Sequence, residues 1–307
     1  MLVSFIIPAY NGEKYINQCI KTLQSQRYNN WEAIFINDGS TDNTLVMLMD
    51  AANHDNRIKV FSQENKGAAA ARNYGIEKAN GDFYSFLDID DTLSNEFLSI
   101  LIPQINNEID IITGTFNIVK NNSIIKKTHT NTAVMDNTDF LKSVLCGKCG
   151  WELCGKLYRN NLFLSSIIVP EKIRIGEDAS IFIQLVSNAR KIKTVNKALY
   201  NYIQYESSAS HTKSKTMAEE TLKAGFFIES ILKKKAFYSE IKDEISTMFL
   251  LFFSNSSRKA FLGMKNKLVE EIYNQHFTLN ALKNISLYKR IYIISYMYFS
   301  KYASKIN

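Results

Sequence analysis

Asp88-Ile89-Asp90-Asp91 places three carboxylates within four residues. Carboxylates that close repel one another unless a cation neutralises them. A hard divalent ion does this, and Mg²⁺ usually binds through one or two carboxylates while substrate phosphates complete its shell. The cluster therefore predicts a metal–diphosphate site. The plainer reading is a helix N-terminus, with Asp90, Asp91 or Thr92 as its cap. Two more polar strings follow apolar runs, Pro8-Ala9-Tyr10-Asn11 and Asp38-Gly39-Ser40. Taken alone, Asp38 reads as an Asx-turn residue ahead of Gly39. A second acidic pair, Glu177-Asp178, follows Gly176 and either caps a helix or supplies a catalytic base. No Gly-x-Gly-x-x-Gly follows the first apolar run and no Gly-Lys-Ser/Thr loop occurs, which argues against dehydrogenases and P-loop enzymes. A nucleotide here needs its phosphates neutralised by another device, and a bound metal can supply it.

The elements that must position these residues read as α/β. Apolar, β-rich runs over 3–7, 31–36, 58–62 and 82–87 predict strands. Helical spacing occupies 13–25, the stretch from about 41 to 52, and 67–79. Strands alternating with helices imply βαβ units and a mostly parallel sheet buried on both faces. Ligands of such sheets sit outside the carboxyl ends of the strands. The three polar strings fall at three such ends, so they should share one crevice. Residues 109–210 mix strand and helix patterns, and beyond Ser214 apolar residues recur at three- and four-residue intervals, predicting helices.

The strings "VSFIIPAYNGEKYINQCIKTLQSQ", "WEAIFINDGSTDNT", "NKGAAAARNYGIEKANGDFYSFLDIDD", "WELCGKLYRNNL", "GEDASIF" and "ALYNYIQYESSASH" occur in that order between residues 2 and 211. The ordered set resembles family 2 glycosyltransferases of the GT-A fold, of the bacterial surface-polysaccharide type. The resemblance implies a Rossmann-like, nucleotide-diphospho-sugar transferase sheet with a helical C-terminal appendage. It implies that Pro8, Tyr10, Asp38 and Arg72 bind the nucleoside of a UDP-sugar, with Asp38 accepting from the uracil ring N–H. A carboxylate opposite an imide N–H selects uracil or thymine over cytosine. Asp88 would contact the ribose, Asp90 the Mn²⁺ or Mg²⁺, and Asp91 the acceptor side or a helix cap. Asp178 would be the base of an inverting transfer, with Glu177 orienting it or touching the acceptor. Trp151 and Lys156 would lie beside the acceptor cleft, a buried core Trp and a surface Lys being the alternatives. His211 would belong to a loop over the donor. The family often shows two Asp before the Gly-Ser, whereas Asn37 stands at the first position here. Processive members carry membrane helices and a Gln-x-x-Arg-Trp motif, which this chain lacks, its only Trp residues being Trp31 and Trp151.

The 307 residues suit one large domain or a domain with an appendage. Two segments are expected: a catalytic domain over 1–211, with its nucleotide-sugar half to about 105 and its acceptor half over 106–211, and a helical region over 212–307. The net charge of +7 is uneven, because residues 212–307 hold 16 Lys and Arg against 8 Asp and Glu, leaving 21 against 22 before them. A basic, Tyr-rich stretch over 286–305 reads as an interfacial helix on an anionic bilayer, or equally as a core-packing or protomer-interface helix. The absence of a signal-peptide pattern and of a bilayer-spanning apolar run predicts a cytoplasmic protein, peripheral on the inner face of the membrane if that helix binds lipid. Its expected partners are the donor and a glycan or lipid-linked glycan acceptor, with no nucleic acid. Cys146, Cys149 and Cys154 cluster, but no nearby His completes a zinc set, so thiols lining a packed turn are expected. Two other functions compete with the transferase. A nucleotidyltransferase would want a Gly-rich basic loop where "PAYNGEKY" stands, and a non-catalytic nucleotide- or carbohydrate-binding module would not need both acidic motifs.

Overall fold

A computed structural model of the chain describes residues 1–121, 123–128, 130–164, 167, 176–205, 214–260 and 266–303. The N-terminal part runs β1 (Val3–Ala9), α1 (Glu13–Gln24), β2 (Trp31–Asp38), α2 (Thr44–His54), β3 (Ile58–Gln63), α3 (Ala68–Lys78) and β4 (Phe83–Phe86). These strands pair in parallel in the order β3-β2-β1-β4. β2 is buried along its whole length, as a parallel strand covered on both faces must be. α3 is rich in Ala because it lies tightly on the sheet. A Cβ on its Gly75 would come within 2.6 Å of Ile6, and Ala71 packs with Ile34 and Ile36.

The chain continues through β5 (Thr92–Leu93), α4 (Phe97–Leu101), β6 (Ile109–Lys120), β7 (Ser123–Lys127), β8 (Ala133–Asp136), α5 (Asn137–Leu145), β9 (Lys156–Arg159), α6 (Glu177–Asn188) and β10 (Lys191–Ile203). The sheet extends past β4 as β9-β6-β10-β5, with β7 on β6 and β8 on β10. Its long ladders, β1 with β2, β2 with β3 and β6 with β10, are parallel, and the antiparallel pairs are short. This is the mixed α/β architecture expected. One local expectation changes: the residues after the acidic cluster form β5 against β10, and no helix begins until Phe97. Capping of a following helix therefore does not account for Asp90 and Asp91.

At the amino ends of the parallel strands a buried polar cluster fixes their starts. Glu32 accepts from Ser4 Oγ at 2.6 Å, Lys59 Nζ at 2.6 Å and Asn80 N at 2.8 Å, while Gly81 N donates to Ser4 Oγ. Burial pushes the Glu32 carboxyl up, but these donors outweigh it and hold the group below its ordinary value. The carboxyl ends, where ligands are expected, lie at the opposite edge.

The chain forms two compact units. The first, Met1–Asn137, Glu152–Ile167 and Asn188–Ser208, holds every strand of the sheet. The second gathers Thr138–Trp151 and Ile168–Ser187 with Ala209–Asn307. Its C-terminal helices are α7 (Lys215–Leu232), α8 (Lys242–Ala260), α9 (Lys267–His276), α10 (Leu279–Lys283) and α11 (Leu287–Ala303). They pack around Leu222, Ile228, Phe249 and Phe253, all buried, and Gly225 leaves room for the Phe249 ring. His276 stacks on that ring with centroids 3.9 Å apart, and in the same unit Phe140 of α5 meets Phe182 of α6 edge-on.

Candidate functional site

Four loops at the carboxyl ends of β1 to β4 are joined by side chains. Asn11 holds a left-handed φ of 46°, which Asn tolerates better than most residues. It donates through its N–H to Ser40 Oγ at 3.1 Å and accepts on Oδ1 from Thr41 N at 2.8 Å. Gly12 N donates to Thr44 Oγ1 at 2.8 Å, Glu13 N to Asp42 at 3.2 Å, and Asn43 N to Glu13 at 3.0 Å. The loop after β1 and the loop after β2 thus form one body. A Cβ on Gly12 would meet Ile89 at 3.2 Å, which sets this body against the acidic turn.

Pro8 stands in β1 two residues beyond the last β1–β4 pair, Ile6 with Phe86, where a missing N–H costs no ladder bond on that side. Tyr10 is 52% exposed, a large side chain with its ring open to solvent. Asp38 is buried at the end of β2 and accepts from Gln63 Nε2 at 2.7 Å, Lys66 N at 2.9 Å and Gly67 N at 2.8 Å. A carboxylate offers about four acceptor positions, so these three donors leave one for a ligand N–H. Gly39 follows at φ 72°, and a Cβ there would come within 2.8 Å of Asn65 N. Asp38 and Gly39 together tie the loop after β2 to the entrance of α3.

α3 also carries Arg72, whose buried guanidinium donates to Asp88 Oδ1 at 2.9 Å. The three acidic side chains then part company. Asp88 is partly exposed and paired with Arg72. Asp90 is partly buried, and burial together with Asp88 raises its carboxyl pKa, while Lys14 acts in the opposite direction. Among the described residues it makes no ion pair. Asp91 is buried and accepts from Tyr200 Oη and from Ile203 N at 2.7 Å, both on β10. Burial, then the Asp88 charge, pushes its carboxyl up from 3.8 to about 8. The negative pole also reaches Cys19 of α1, whose thiol is raised far above its ordinary value by burial and then by Asp91, Asp90 and Asp88. Beside the pole, Lys14 Nζ sits 4.6 Å from the Tyr15 ring and 5.7 Å from that of Tyr205, and those two rings lie 5.1 Å apart. Among the described residues no three His, Cys, Asp or Glu side chains are grouped so as to hold a metal ion by themselves.

The remaining candidates from the sequence stand on other elements. Lys156, on β9, is buried rather than a surface residue, and its ammonium donates to the Glu152 carbonyl. In the second unit, Trp151 is half-buried and meets the buried Phe252 edge-on at 5.0 Å. Glu177 and Asp178 form the first turn of α6, where negative charge suits the helix dipole. Gly176 precedes them at φ 93°, and Ser180 donates to its carbonyl through both N and Oγ. His211 lies outside the described residues. Cys146, Cys149 and Cys154 form no disulfide and are half-buried, half-buried and buried in turn.

Pro8, Tyr10, Asp38, Asp88, Asp90 and Asp91 thus all stand at the strand ends of the first unit, and Arg72 joins them from α3. Sequence reasoning gave no positioning role to the residues that hold them, Asn11, Ser40, Thr44, Gln63, Tyr200 and Lys14. Asn-Gly after a strand and Ser-Thr-Asp-Asn-Thr before a helix were the available signals for the first three. Nothing local marks Gln63 or Tyr200.

The model of the family described as "Glycosyl transferase family 2" matches residues 4–165. An uncharacterized glycosyltransferase of Bacillus subtilis, EpsJ, is 31% identical over 231 residues, covering 72% of this chain and 66% of EpsJ. The Escherichia coli protein named UDP-Glc:alpha-D-GlcNAc-diphosphoundecaprenol beta-1,3-glucosyltransferase WfgD is 39% identical over 128 residues, covering 41% of this chain and 50% of WfgD. Both alignments thus reach slightly under two thirds or only half of the relative. Among solved structures, S. aureus TarS 1-349 superposes with a TM-score of 0.70 at 24% identity, covering 92% of this chain and 80% of that one. That likeness is one of fold.

Proposed function

This chain belongs to glycosyltransferase family 2, and from that premise we propose an inverting, non-processive enzyme that moves a sugar from a UDP-sugar to a hydroxyl of a glycan or lipid-linked glycan in surface polysaccharide synthesis. Capsule, O-antigen, lipooligosaccharide and teichoic acid are the candidate products. The observation that carries the reading is the acidic pole at the end of β4, joined to the nucleoside loops by the Arg72–Asp88 pair. The name of WfgD, a UDP-glucose-dependent transferase acting on a lipid-linked sugar, supports the choice of donor and acceptor class.

In this reading Asp38 accepts the uracil N–H on its remaining acceptor position, Tyr10 lies against the base, and Pro8 and Arg72 line the pocket. Asp88 meets the ribose. The residues present fit Mn²⁺ or Mg²⁺, because Asp90, a hard oxygen ligand whose pKa is raised by burial and by the Asp88 charge, would hold such an ion. Such an ion would supply positive charge to a departing diphosphate. Asp178 takes the proton of the acceptor hydroxyl as its oxygen bonds to the anomeric carbon and the bond to UDP breaks. Glu177 orients that base or the acceptor, and Trp151 and Lys156 border the acceptor cleft. His211 would contribute from the loop over the donor. Catalysis is assigned to residues 1–211, and 212–307 to partner or membrane contact. Among the described residues no helix is long and apolar enough to cross a membrane, and the setting proposed is the cytoplasmic face of the cell membrane, with peripheral attachment.

The test is UDP release from a panel of UDP-sugars with a glycan or lipid-linked acceptor. Asp90→Asn and Asp178→Asn should each lower kcat by about 10²- to 10⁴-fold without lowering the melting temperature. Release of pyrophosphate in place of UDP would redirect the reading to nucleotidyl transfer, and binding without turnover to a recognition module.

A further inference from the structure

We propose that Gln63 is the positioning residue that makes Asp38 selective for an imide base, by filling one carboxylate oxygen and leaving a single acceptor position on the other. The inference deepens the uracil reading above and rests on it. β2 and β3 run in parallel with Asp38 beside Gln63 in the register, so the two side chains leave the same face of the sheet. Asn37 and Ser62, one residue back, take the other face, where Asn37 Nδ2 donates to Ser62 Oγ at 3.4 Å. A one-residue slip of β3 would carry Gln63 away from Asp38. In this register Gln63 Nε2 donates to Asp38 Oδ1 at 2.7 Å, a length typical of a bond to a charged acceptor.

The other two donors divide between the oxygens. Lys66 N reaches Oδ1 at 2.9 Å and Gly67 N reaches Oδ2 at 2.8 Å. Each oxygen of a carboxylate accepts about two hydrogen bonds. Oδ1 is therefore full, and the open position of Asp38 lies on Oδ2. Both of these donors are backbone groups fixed by the entrance to α3, so among the described residues Gln63 supplies the one side-chain donor that decides which oxygen stays free. Without its amide, Oδ1 regains an acceptor position and the carboxylate has one tether fewer. The base this selects follows from hydrogen-bond chemistry. Uracil presents a ring N–H to an acceptor, whereas cytosine presents an unprotonated ring nitrogen that repels a carboxylate oxygen. A single fixed acceptor position favours the first and disfavours the second. A carboxylate open on both oxygens can turn away from the clash, and discrimination falls. Holding Asp38 in its binding pose before the base arrives also lowers the cost of binding.

The experiment is calorimetric titration of the full chain with UDP and with CDP. The wild type should bind UDP about ten-fold or more tightly than CDP. Gln63→Met removes the donor at nearly constant length. It should weaken UDP by about three- to ten-fold and leave CDP unchanged, narrowing the ratio by the same factor. Gln63→Asn withdraws the amide by one methylene and should behave alike, so the test does not depend on the folding of one variant. Gln63→Lys returns a donor to Oδ1 and should restore the ratio, which a role in packing alone would not produce. With a UDP-sugar, the donor KM of Gln63→Met should rise while kcat at saturation holds, because in this assignment Gln63 acts on the base alone. A UDP-to-CDP ratio unchanged in Gln63→Met and Gln63→Asn would overturn the role of Gln63 and leave the uracil reading intact. A ratio as narrow in Gln63→Lys as in Gln63→Met would overturn it too. A wild type that binds UDP no better than CDP would overturn the uracil reading itself, and this assignment with it.

Discussion

Asp90 and Asp91 are neighbours in the chain but meet opposite surroundings. Asp90 stands at the mouth of the acidic turn, while Asp91 is turned inward to Tyr200 and the Ile203 N–H. Its carboxyl, raised to about 8, holds a proton in the folded chain that the unfolded chain gives up near 3.8. A group that binds more protons folded than unfolded makes stability fall as pH rises through that window. Urea unfolding followed from about pH 4 to pH 8 should therefore show a downward component of at most about 1.4 kcal/mol per pH unit that Asp91→Asn lacks. Parallel pH profiles for the two proteins would exclude it. The acidic cluster was legible as an anionic site from residue type and spacing. The division of labour within it was not, because Tyr200 is 109 residues away from Asp91 in sequence.

At the scale of elements, β1 to β4 and α1 to α3 could be read from period and turn chemistry, since each is local and strongly patterned. The stitching of their loops could not, because Gly12 with Thr44 and Asp38 with Gly67 join positions 32 and 29 residues apart. Thr44 is buried, takes the Gly12 N–H and donates to Asp42. Thr44→Val keeps the shape and strands that N–H, so stability should drop by about 1–3 kcal/mol in denaturant unfolding. KM for the donor should rise more than kcat falls, since the loop that shifts carries Tyr10. A variant with unchanged KM would mean the two loops hold their places without this bond. β5 shows the converse failure of local reading. Thr92 and Leu93 look like the start of a helix, but pairing with Asn201 and Tyr200 makes them a strand.

At the scale of the whole molecule, no described trio of His, Cys, Asp or Glu encloses an ion, and in the function proposed above a metal would be held together with the diphosphate rather than by the chain alone. Excess chelator should abolish UDP release yet leave the melting temperature unchanged; a chelator-induced drop in melting would point to a structural ion instead. The sequence by itself determined the α/β class, the family and the acidic and Asp38 motifs, because each is written in short segments whose periodicity or residue order is independent of distant partners. Only the tertiary structure decided that Lys156 is buried, that Asp91 faces inward and that Gln63 donates to Asp38. Burial and direction depend on which surfaces meet across tens or hundreds of residues, and a linear pattern shows that a helix has an apolar face without showing what covers it.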